Sequence, residues 1–346
     1  MDRIPYHVTD FNVLTDDKPW ALHKSKSMFL SESYFRLNMM NKYDAVRYCG
    51  SMLRFMSCPH GHGKRLRWAN FCKVRLCPMC SWRKSLMQAR QVRQAAHVVA
   101  SSMKVRWLFI TLTVKNVKGD KLADEISHLT KSWKRLFERK KFKKTVLGFF
   151  RALEVTHNPD TGEYHPHFHA LLAVTPSYFT RDYIKQKEWV ELWQESARLD
   201  YKPMVNIQAV KGQRNPEKEA EILKSRGIET IEADEDTEFL PGKAVAEVAK
   251  YTVKSGDYIF PDDEDRTDRV VLTLDKALKQ RKLYAFGGVM KDAWDYLEKS
   301  GQAEDVEKSD LVHIDEDESC KCSVCDSDML EELYKWVPDR NQYVRS

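Results

Sequence analysis

The sequence lacks any long apolar stretch and any leader pattern. No run of about 18 apolar residues occurs in the 346 residues, so no membrane-spanning helix is predicted. The opening residues, MDRIPYHVTDFNVL, do not show the basic and then apolar order of a secretory signal. No internal repeat or coiled-coil heptad is visible either. We therefore expect a cytoplasmic protein, and the sequence leaves its oligomeric state open.

Charge is moderate in sum but uneven along the chain. The 42% hydrophobic residues suffice for a packed core, and the 31% charged residues indicate a soluble chain with a net charge of +6. Residues 71–85 and 131–144 are strongly basic, whereas 229–240 and 315–331 are acidic. A solvated helix surface explains one basic run better than it explains two. An anionic partner is therefore predicted for the middle of the chain.

The order of predicted elements is typical of an α+β fold. Apolar and β-branched runs predict strands at 106–114, 147–156 and 165–174, the last two joined by turn residues. Apolar residues at steps of three and four predict an amphipathic helix at 121–140 with a basic outer face. Further predicted elements are a strand at 204–210 and helices near 83–103, 179–198, 242–255 and 274–283. This order fits a mostly antiparallel sheet covered by helices.

Three histidines at alternate positions carry the clearest chemical signal. The stretch EYHPHFHALL places His165, His167 and His169 on one face of a predicted strand, because successive strand side chains point to opposite faces. With a hairpin turn within 158–163, Glu154 falls opposite His167, where paired Cβ atoms lie about 5 Å apart. A single strand histidine is usually a core or surface residue, but alternation opposite a carboxylate favours a binding site.

Glu154, His167 and His169 are predicted to hold a divalent metal ion. Two imidazoles and one carboxylate suit such an ion and leave positions open for water and substrate. The donor set admits manganese, magnesium, zinc or nickel, and Mg²⁺ or Mn²⁺ is expected if the substrate is a phosphate. His157 and His165 are closer to the turn and are left out of the predicted site.

A tyrosine and a carboxylate four residues apart provide candidate nucleophiles. Glu247 and Tyr251 share one face of a predicted helix, with Lys254 on the same face and Lys250 beside it. A tyrosine hydroxyl near a metal-bound phosphate can attack in line, giving a phosphotyrosine and a free 3′ hydroxyl. Such pairs are common on helix surfaces, so this assignment depends on the histidine strand. Tyr258 is the alternative tyrosine.

Three segments in order resemble the motifs of the HUH endonucleases, which combine a His-hydrophobic-His strand with a catalytic tyrosine. They are FITLTV (109–114), HPHFHALL (165–172) and EVAKYTVKS (247–255). More narrowly, the chain resembles the rolling-circle plasmid replication initiator (Rep) proteins of Gram-positive bacteria, and its cysteine segment at 69–85 is similar to theirs. The resemblance covers about residues 45–290.

The resemblance implies a fold and a division of the chain. The fold would be an HUH-endonuclease fold, in which helices flank a central antiparallel sheet with the histidine strand in its middle. A small basic zinc-binding subdomain would accompany it at 46–85, and the nickase domain would span 86–290. The remaining segments, 1–45 and 291–346, carry no derived function.

The resemblance also implies residue roles. Tyr251 would be the nicking nucleophile, and Glu247 the general base that lets water complete the last cleavage. His167, His169 and Glu154 would bind the catalytic Mg²⁺ or Mn²⁺. Proteins of this kind nick one strand at a double-strand origin, often in an extruded hairpin, rejoin strands without ATP and recruit a host helicase. The basic residues expected to contact origin DNA are Arg75, Arg83, Lys84, Lys134, Arg135, Lys250 and Lys254.

The eight cysteines are clustered, which indicates metal ligands rather than disulfides in a chain without an export signal. Cys72, Cys77 and Cys80 supply three thiolates for a structural zinc ion. Cys49, followed by glycine, resembles the family's upstream ligand and is the predicted fourth. The alternatives for the fourth position are Cys58, His60 and His62. Metal binding also stays open for the tail residues His313, Cys320, Cys322 and Cys325.

Two other functions remain open from the sequence. A zinc-finger DNA-binding protein without catalysis would use the histidines for a second structural metal, and Tyr251→Phe would leave its function intact. A relaxase or single-tyrosine transposase on the same scaffold would share the nick without needing Glu247. The carboxylate one turn before the tyrosine argues for the replication initiator.

Overall fold

The chain folds into two compact units. This computed structural model describes residues 18–210, 229–231, 244–245, 248–249, 252–300, 321–322 and 324–346. The first unit comprises Met1–Lys84, Ile259–Val271 and Asp305–Ser346, and the second comprises Ser85–Tyr258 and Leu272–Glu304. Among the helices of the described residues, none is both long and apolar enough to cross a membrane.

Eight α-helices and ten strands have bounds that lie within the described residues. The helices are α1 (Lys18–Arg36), α2 (Met40–Tyr48), α3 (Pro78–Ser102), α4 (Leu122–Glu138), α5 (Lys140–Thr145), α6 (Gln186–Ala197), α7 (Glu264–Leu278) and α8 (Val289–Lys299). The strands are β1 (Met52–Ser57), β2 (Lys64–Ala69), β3 (Arg106–Thr113), β4 (Val146–His157), β5 (Tyr164–Val174), β6 (Val205–Val210), β7 (Glu229–Ile231), β8 (Tyr284–Gly288), β9 (Leu330–Val337) and β10 (Gln342–Arg345).

The sheet of the first unit joins both ends of the described chain. Its strand order is β10–β9–β1–β2, and every pair is antiparallel. The pairing of β1 with β9 ends where Ser57 lies opposite Leu330. Trp20 of α1 packs edge-on against Phe55 of β1, with 5.7 Å between ring centroids. Strands β9 and β10, which belong to the predicted C-terminal segment 291–346, therefore form one sheet with β1 and β2 of the predicted subdomain 46–85.

The sheet of the second unit has the strand order β7–β6–β3–β5–β4–β8. All neighbours are antiparallel except β6 and β7. The predicted strands at 106–114, 147–156 and 165–174 are confirmed as β3, β4 and β5. The histidine strand β5 lies between β3 and β4, so its side chains are flanked on both sides. The molecule is thus an α+β protein whose antiparallel sheets are flanked by helices, as the sequence predicts.

Helices cover the face of this sheet opposite the histidines. Trp133 of α4 packs edge-on against Phe149 and Phe168, at centroid distances of 4.9 and 5.8 Å. Phe168 alternates with the histidines on β5, so its contacts identify the covered face. On the histidine face, Trp294 of α8 stacks on Phe286 at the β8 edge, 6.0 Å away.

Several helices differ from their predicted bounds; the one predicted near 179–198, for example, begins at Gln186. The basic run at 131–144 is interrupted, because Arg139 is extended (φ −63°, ψ 131°) between α4 and α5. This break lets Phe142 turn inward and pack 5.3 Å from Phe137. The helix predicted near 274–283 instead begins at Glu264 and ends at Leu278. Of the helix predicted at 242–255, the described residues 244, 245 and 248 are helical, whereas Lys254 is extended (φ −72°, ψ 142°), so the helix does not reach it. Residues 242–243, 246–247 and 250–251 lie outside the described residues.

Candidate metal centre

The hairpin of β4 and β5 sets the register of the predicted site. Glu154 lies opposite His167 in the antiparallel pair, as the sequence predicts. At the turn, the side-chain oxygen of Asn158 accepts a hydrogen bond from the backbone N–H of Asp160 at 2.9 Å. Gly162 has φ +70°, a conformation that glycine adopts without a steric cost. A slip of one residue would move the carboxylate to the other face, so this turn determines whether the group assembles.

Three ligand atoms converge on one point of the sheet surface. Glu154 Oε2 lies 2.9 Å from His169 Nε2 and 3.7 Å from His167 Nε2. The two imidazole Nε2 atoms are 3.2 Å apart. The side chains are 6% exposed for Glu154, 9% for His167 and 13% for His169, so little water competes for these atoms. The structure therefore brings the three predicted ligands together.

Hydrogen bonds behind the site orient both imidazoles. His167 Nδ1 donates to the carbonyl of His165 at 3.0 Å; since a carbonyl only accepts, the Nδ1 atom carries a proton. His169 Nδ1 lies 3.0 Å from Thr111 Oγ1, because Thr111 of β3 is the direct neighbour of His169. Phe109 stacks against His169 with 5.5 Å between centroids. Both Nε2 atoms are thereby directed at the carboxylate.

The carboxylate of Glu154 is ionised. Burial by itself would raise the pKa of Glu154, but hydrogen bonds and charge interactions with His167 and His169 outweigh it and hold the pKa well below its ordinary value. Lys254 adds a cation, with its Nζ atom 3.1 Å from Glu154 Oε1. Burial and the neighbouring His167 lower the pKa of His165, whose ring stacks on His167 at 4.9 Å.

The three side chains fit a divalent cation. Adjacent octahedral ligands about 2.1 Å from a metal lie about 3.0 Å apart, which is close to the three measured separations of 2.9, 3.2 and 3.7 Å. At 3.2 Å, the lone pairs of two Nε2 atoms repel each other unless a proton or a cation lies between them. One oxygen and two nitrogen donors suit Mg²⁺, Mn²⁺, Zn²⁺ or Ni²⁺, so the donor set does not select among these ions.

The predicted nucleophiles Tyr251 and Glu247 lie outside the described residues. The described residue that follows Tyr251 in the chain, Thr252, accepts a hydrogen bond from the backbone N–H of Val155 at 2.8 Å. Lys254 reaches Glu154 itself. The segment just after Tyr251 is therefore bound to β4 next to the metal ligand. The alternative tyrosine, Tyr258, is 1% exposed and so is closed to a DNA strand in this conformation.

The basic residues of α4, which were predicted to contact DNA, lie away from the three ligands. Lys134 is exposed on α4, on the sheet face opposite Glu154. Arg135 forms bonds within the protein: its Nε donates to the Ser196 carbonyl at 2.5 Å and its Nη2 to Ser132 Oγ at 2.9 Å. Of the basic residues in the second unit that were predicted to contact DNA, Lys254 is the described one that touches the ligand group; Lys250 lies outside the described residues.

The basic residues of the first unit are half-buried. Arg83 lies over the rings of Trp20 and Trp82, at 5.2 and 5.5 Å, and burial lowers its pKa to about 10. Burial also lowers the pKa of Lys84. Arg75 is also half-buried, and its charge contributes to the lowered pKa of Lys84. Arg83 thus contributes to packing of α1 against the start of α3.

The four predicted structural zinc ligands form a second group. The Sγ atoms of Cys49, Cys72, Cys77 and Cys80 all lie within 4.8 Å of one another. The distances from Cys49 to Cys80 and Cys77, and from Cys72 to Cys80, are 3.5, 3.6 and 3.7 Å. Tetrahedral zinc with bonds of about 2.3 Å separates its sulfur ligands by about 3.8 Å. None of the seven described cysteines forms a disulfide, so the thiols are able to bind an ion.

Lys24 is a buried residue that forms hydrogen bonds to the backbone next to this cysteine group. Its Nζ atom donates to the carbonyls of Cys49 and Arg47 at 2.8 and 2.5 Å, and the residue is fully buried. Burial lowers the pKa of Lys24 to about 8, although the neighbouring sulfurs raise it. A zinc ion with four thiolates carries two net negative charges, which a buried ammonium group offsets.

A third group gathers residues that the sequence left as rivals. Cys58 and His62 lie within 4.8 Å of Cys322 and Cys325, measured between ligand atoms. Among the described residues, His60 belongs to no such group. His313 and Cys320 lie outside the described residues. Two of the three rivals for the Cys49 position, Cys58 and His62, therefore lie with the tail cysteines instead.

Two supporting residues were not predicted from the sequence. Thr111 orients His169, and its signal is the alternation of Thr111 and Thr113 along the strand before the histidine hairpin. Recognising that signal requires the pairing of β3 with β5. Lys24 lies in a helix with no motif, so nothing in its local sequence indicates its contact with the cysteine group.

The fold and these groups define an α+β protein with a candidate metal-binding group, formed by Glu154 of β4 with His167 and His169 of β5, and two cysteine-rich groups. The sequence matches the model of the replication protein family over residues 63–344. "Protein rep" of Bacillus amyloliquefaciens is 36% identical over 352 residues, covering 97% of this chain and 98% of that protein. "Protein rep" of Streptococcus pneumoniae serotype 2 is 37% identical over 313 residues, covering 89% and 87%. No solved structure matches the chain. The chain belongs to the replication protein family, which confirms the resemblance noted in the sequence.

Proposed function

We propose that this protein initiates rolling-circle replication of a plasmid in the cytoplasm. It binds the double-strand origin, nicks one strand through a phosphotyrosine on Tyr251 and terminates replication by strand transfer. A host helicase would open the duplex after the nick. The observation that carries the proposal is the convergence of Glu154 of β4 with His167 and His169 of β5 in a replication-family chain. In this reading the second unit has the HUH-endonuclease fold.

Glu154, His167 and His169 would hold the catalytic ion. When bound, Mg²⁺ or Mn²⁺ supplies polarisation of the non-bridging oxygens of the scissile phosphate. The protein holds the Glu154 carboxylate and the two Nε2 atoms close together at a position that is largely shielded from water. Thr111 and the His165 carbonyl do this by fixing the two imidazole rings, so that both Nε2 lone pairs are presented together.

Tyr251 would perform the cleavage. Its phenolic oxygen forms a bond to phosphorus, and the bond from phosphorus to the 3′ oxygen breaks. The 5′ phosphate stays on the protein, the tyrosine loses its proton, and the 3′ oxygen gains a proton to leave as a hydroxyl. The anchoring of Thr252 and Lys254 on β4 supports this role, because it ties the neighbouring residues to the ligand strand. Rejoining reverses the step without ATP, since the phosphodiester energy is retained.

Lys254 would contribute to binding the phosphate. Its side chain is 52% exposed, and its ammonium group pairs with Glu154. A metal ion on that carboxylate would compete with the ammonium, which can then turn to an oxygen of the DNA backbone. Glu247 would act later, as the general base that activates water for the final cleavage.

The first unit would provide a structural zinc ion and a DNA-binding surface. Cys49, Cys72, Cys77 and Cys80 would hold the zinc in a closed four-ligand site, leaving no open position for catalysis. Arg75 and Lys84, on either side of the CxxC segment, would contact DNA phosphates, with Lys134 contributing from the second unit. These contacts would make the affinity for origin DNA fall with added salt.

The test is nicking of a supercoiled plasmid that carries the gene with its flanking DNA. With Mn²⁺ the wild-type protein should convert the supercoiled form to open circles, and a chelator should prevent this. His169→Ala and Glu154→Gln should each reduce nicking by about 100-fold or more, because metal affinity is lost. The matched control is His165→Ala on the same strand and face, which keeps the backbone carbonyl and should keep most of the activity.

The result also separates the other readings. A protein that binds this DNA but never nicks it, with metal bound, would be a non-catalytic zinc-finger protein. A nick that survives Glu247→Ala in both initiation and termination would favour a relaxase or single-tyrosine transposase. For an initiator, Glu247→Ala should still nick but should accumulate linear multimers, because the last cleavage is lost.

A further inference from the structure

The third group of ligand residues joins two distant parts of the first unit. Cys58 lies in the turn between β1 and β2, whereas Cys325 precedes β9 and is 267 residues further along the chain. Their sulfur atoms are 3.5 Å apart. His62 Nδ1 lies 3.6 Å from Cys58 Sγ and 3.7 Å from Cys322 Sγ. Four donor atoms from two separate turns thus meet at one point.

These separations match a tetrahedral zinc site. With zinc–sulfur bonds of about 2.3 Å and a zinc–nitrogen bond of about 2.05 Å, ideal separations are about 3.8 Å between sulfurs and about 3.6 Å between sulfur and nitrogen. Three thiolates and one imidazole are among the usual ligand sets of structural zinc. A disulfide between Cys58 and Cys325 would satisfy two of the four residues and leave Cys322 and His62 without a purpose in the cluster.

The turn that carries Cys58 and His62 is built tightly. The backbone N–H of Cys58 donates to the carbonyl of Gly63, and that of Gly61 donates to the carbonyl of Cys58, both at 3.0 Å. Gly61 has φ +77°, which allows the tight reversal. The N–H of His60 points at Cys58 Sγ from 3.4 Å and stabilises a thiolate there.

The tail forms a matching turn. The backbone N–H of Cys322 donates to the carbonyl of Ser327, and that of Asp326 donates to the carbonyl of Cys322, both at 2.9 Å. The N–H of Val324 points at Cys322 Sγ from 3.5 Å. This is the backbone arrangement of a CxxC knuckle, in which amide groups face the sulfurs.

Register places both turns at one end of the same strand pair. Ser57 of β1 lies opposite Leu330 of β9, so Cys58 follows directly after the last pair. The tail turn directly precedes β9. A metal ion here would close the end of the β1–β9 ladder and a very long chain loop, where a cross-link limits the unfolded chain most.

We propose that Cys58, His62, Cys322 and Cys325 bind a second structural zinc ion, which fastens the C-terminal strands β9 and β10 onto β1. This site is separate from the Cys49 group and from the catalytic centre. It makes the C-terminal residues a part of the cysteine-rich unit. The inference does not depend on nicking, so its test gives an answer even if the proposed function fails.

The test counts zinc per chain in the full-length protein, purified under reducing conditions and freed of loosely bound metal. The wild type should carry two zinc ions, and His62→Ala should carry one. His60→Ala, in the same turn but outside the cluster, should keep two. Cys72→Ser should also lose one ion, and combining it with His62→Ala should lose both. One zinc ion in the wild type, or a zinc count in His62→Ala no lower than that of the wild type, would overturn the proposal.

Amide hydrogen exchange provides a readout of the fastening role. His62→Ala should accelerate exchange in β9 and leave the protection of β5 in the second unit unchanged. Unchanged protection of β9 would contradict the fastening role even if the zinc count falls. Intact mass under non-reducing conditions distinguishes the competing cross-link, since a Cys58–Cys325 disulfide lowers the mass by two hydrogens and would overturn the zinc site.

Discussion

At the scale of single residues, the site depends on a few hydrogen bonds that select which nitrogen faces the metal. The His165 carbonyl fixes His167, and the Thr111 hydroxyl fixes His169. Glu154 completes the group from the neighbouring strand. To bind a divalent ion beside the ionised carboxylate of Glu154, each imidazole must present its Nε2 lone pair to that ion. The metal affinity should therefore respond to Thr111, although Thr111 is not a ligand.

Thr111→Val should weaken Mn²⁺ binding by about 10- to 100-fold, because His169 loses the group that orients its ring. Isothermal titration calorimetry of the full-length protein measures this directly. The matched control is Thr113→Val on the same strand, whose hydroxyl donates to the Met204 carbonyl at 2.9 Å instead of to a histidine. Equal affinities for both variants would show that Thr111 has no part in orienting the ligand.

The residues of the site differ in how far the sequence predicts them. Glu154, His167 and His169 follow from one hairpin, since the turn between them fixes which residues face each other. Thr111 lies 58 residues from His169, and its contact depends on which strand pairs with β5. Local patterns do not determine that choice, so Thr111 was not predicted, whereas the convergence of Glu154, His167 and His169 was.

At the scale of elements, the β4–β5 turn determines the register on which the site depends. Gly162→Ala should lower the free energy of unfolding by about 1 to 2 kcal/mol, because φ +70° is strained for a residue with a Cβ atom. The space around the position is open, so no clash contributes. Urea unfolding measures the change.

Gly256→Ala is the control for this substitution, since it also meets open space but has no positive φ. Its stability should stay equal or rise by up to about 1 kcal/mol. If both alanines cost the same, backbone strain at the turn is not what sets the stability of the hairpin.

The positions at which helices begin and end were predicted least well from the sequence. The start of α7 is stabilised by Asp263, whose side chain accepts a hydrogen bond from the Arg266 N–H at 2.9 Å. Asp263 lies within the acidic run 262–265, where no single residue stands out as an N-cap. The helix was therefore predicted to begin at 274, ten residues after its actual start at Glu264. The break before α5 follows from packing of Phe142, because burying that ring outweighs continuing a basic helix. Both outcomes depend on tertiary contacts.

The α1–α7 contact should make stability depend on pH. Arg36 donates two hydrogen bonds to Asp268, at 2.8 and 2.9 Å. Burial would raise the pKa of Asp268, but the bond to Arg36 prevails and lowers it below 3.8. A lowered carboxyl pKa stabilises the fold above the unfolded value, and that contribution disappears as pH falls through the folded pKa.

Asp268→Asn should therefore cost about 1 to 2 kcal/mol at pH 7, and the cost should shrink as pH falls through the folded-state pKa of Asp268. Urea unfolding of variant and wild type at pH 7 and at a series of acidic pH values checks this. Asp265→Asn in the same helix is exposed and should cost only about 0.5 kcal/mol. A difference between Asp268→Asn and wild type that stays constant with pH would contradict the ion-pair account.

At the scale of the whole molecule, each of the two units brings together residues that are remote in sequence. The composition and motifs predict the α+β class and the replication family, and both are confirmed. The pairing of β1 with β9 was not predicted, because the paired residues are far apart in the chain (Ser57 with Leu330, Met52 with Lys335) and neither strand has a distinctive pattern. The grouping of Cys322 and Cys325 with Cys58 and His62 consequently became evident only from the folded chain.

The central claim is that Tyr251 becomes covalently attached to DNA, and mass spectrometry of the adduct tests it most directly. The protein is incubated with Mn²⁺ and single-stranded oligonucleotides that tile the DNA flanking its gene, and the adduct is digested with trypsin. Cleavage after Lys250 and Lys254 places Tyr251 and Tyr258 on different peptides. The account predicts a 5′-phosphonucleotide on the peptide 251–254 and no adduct with Tyr251→Phe. An adduct on Tyr258, or none on any oligonucleotide with metal bound, would contradict it.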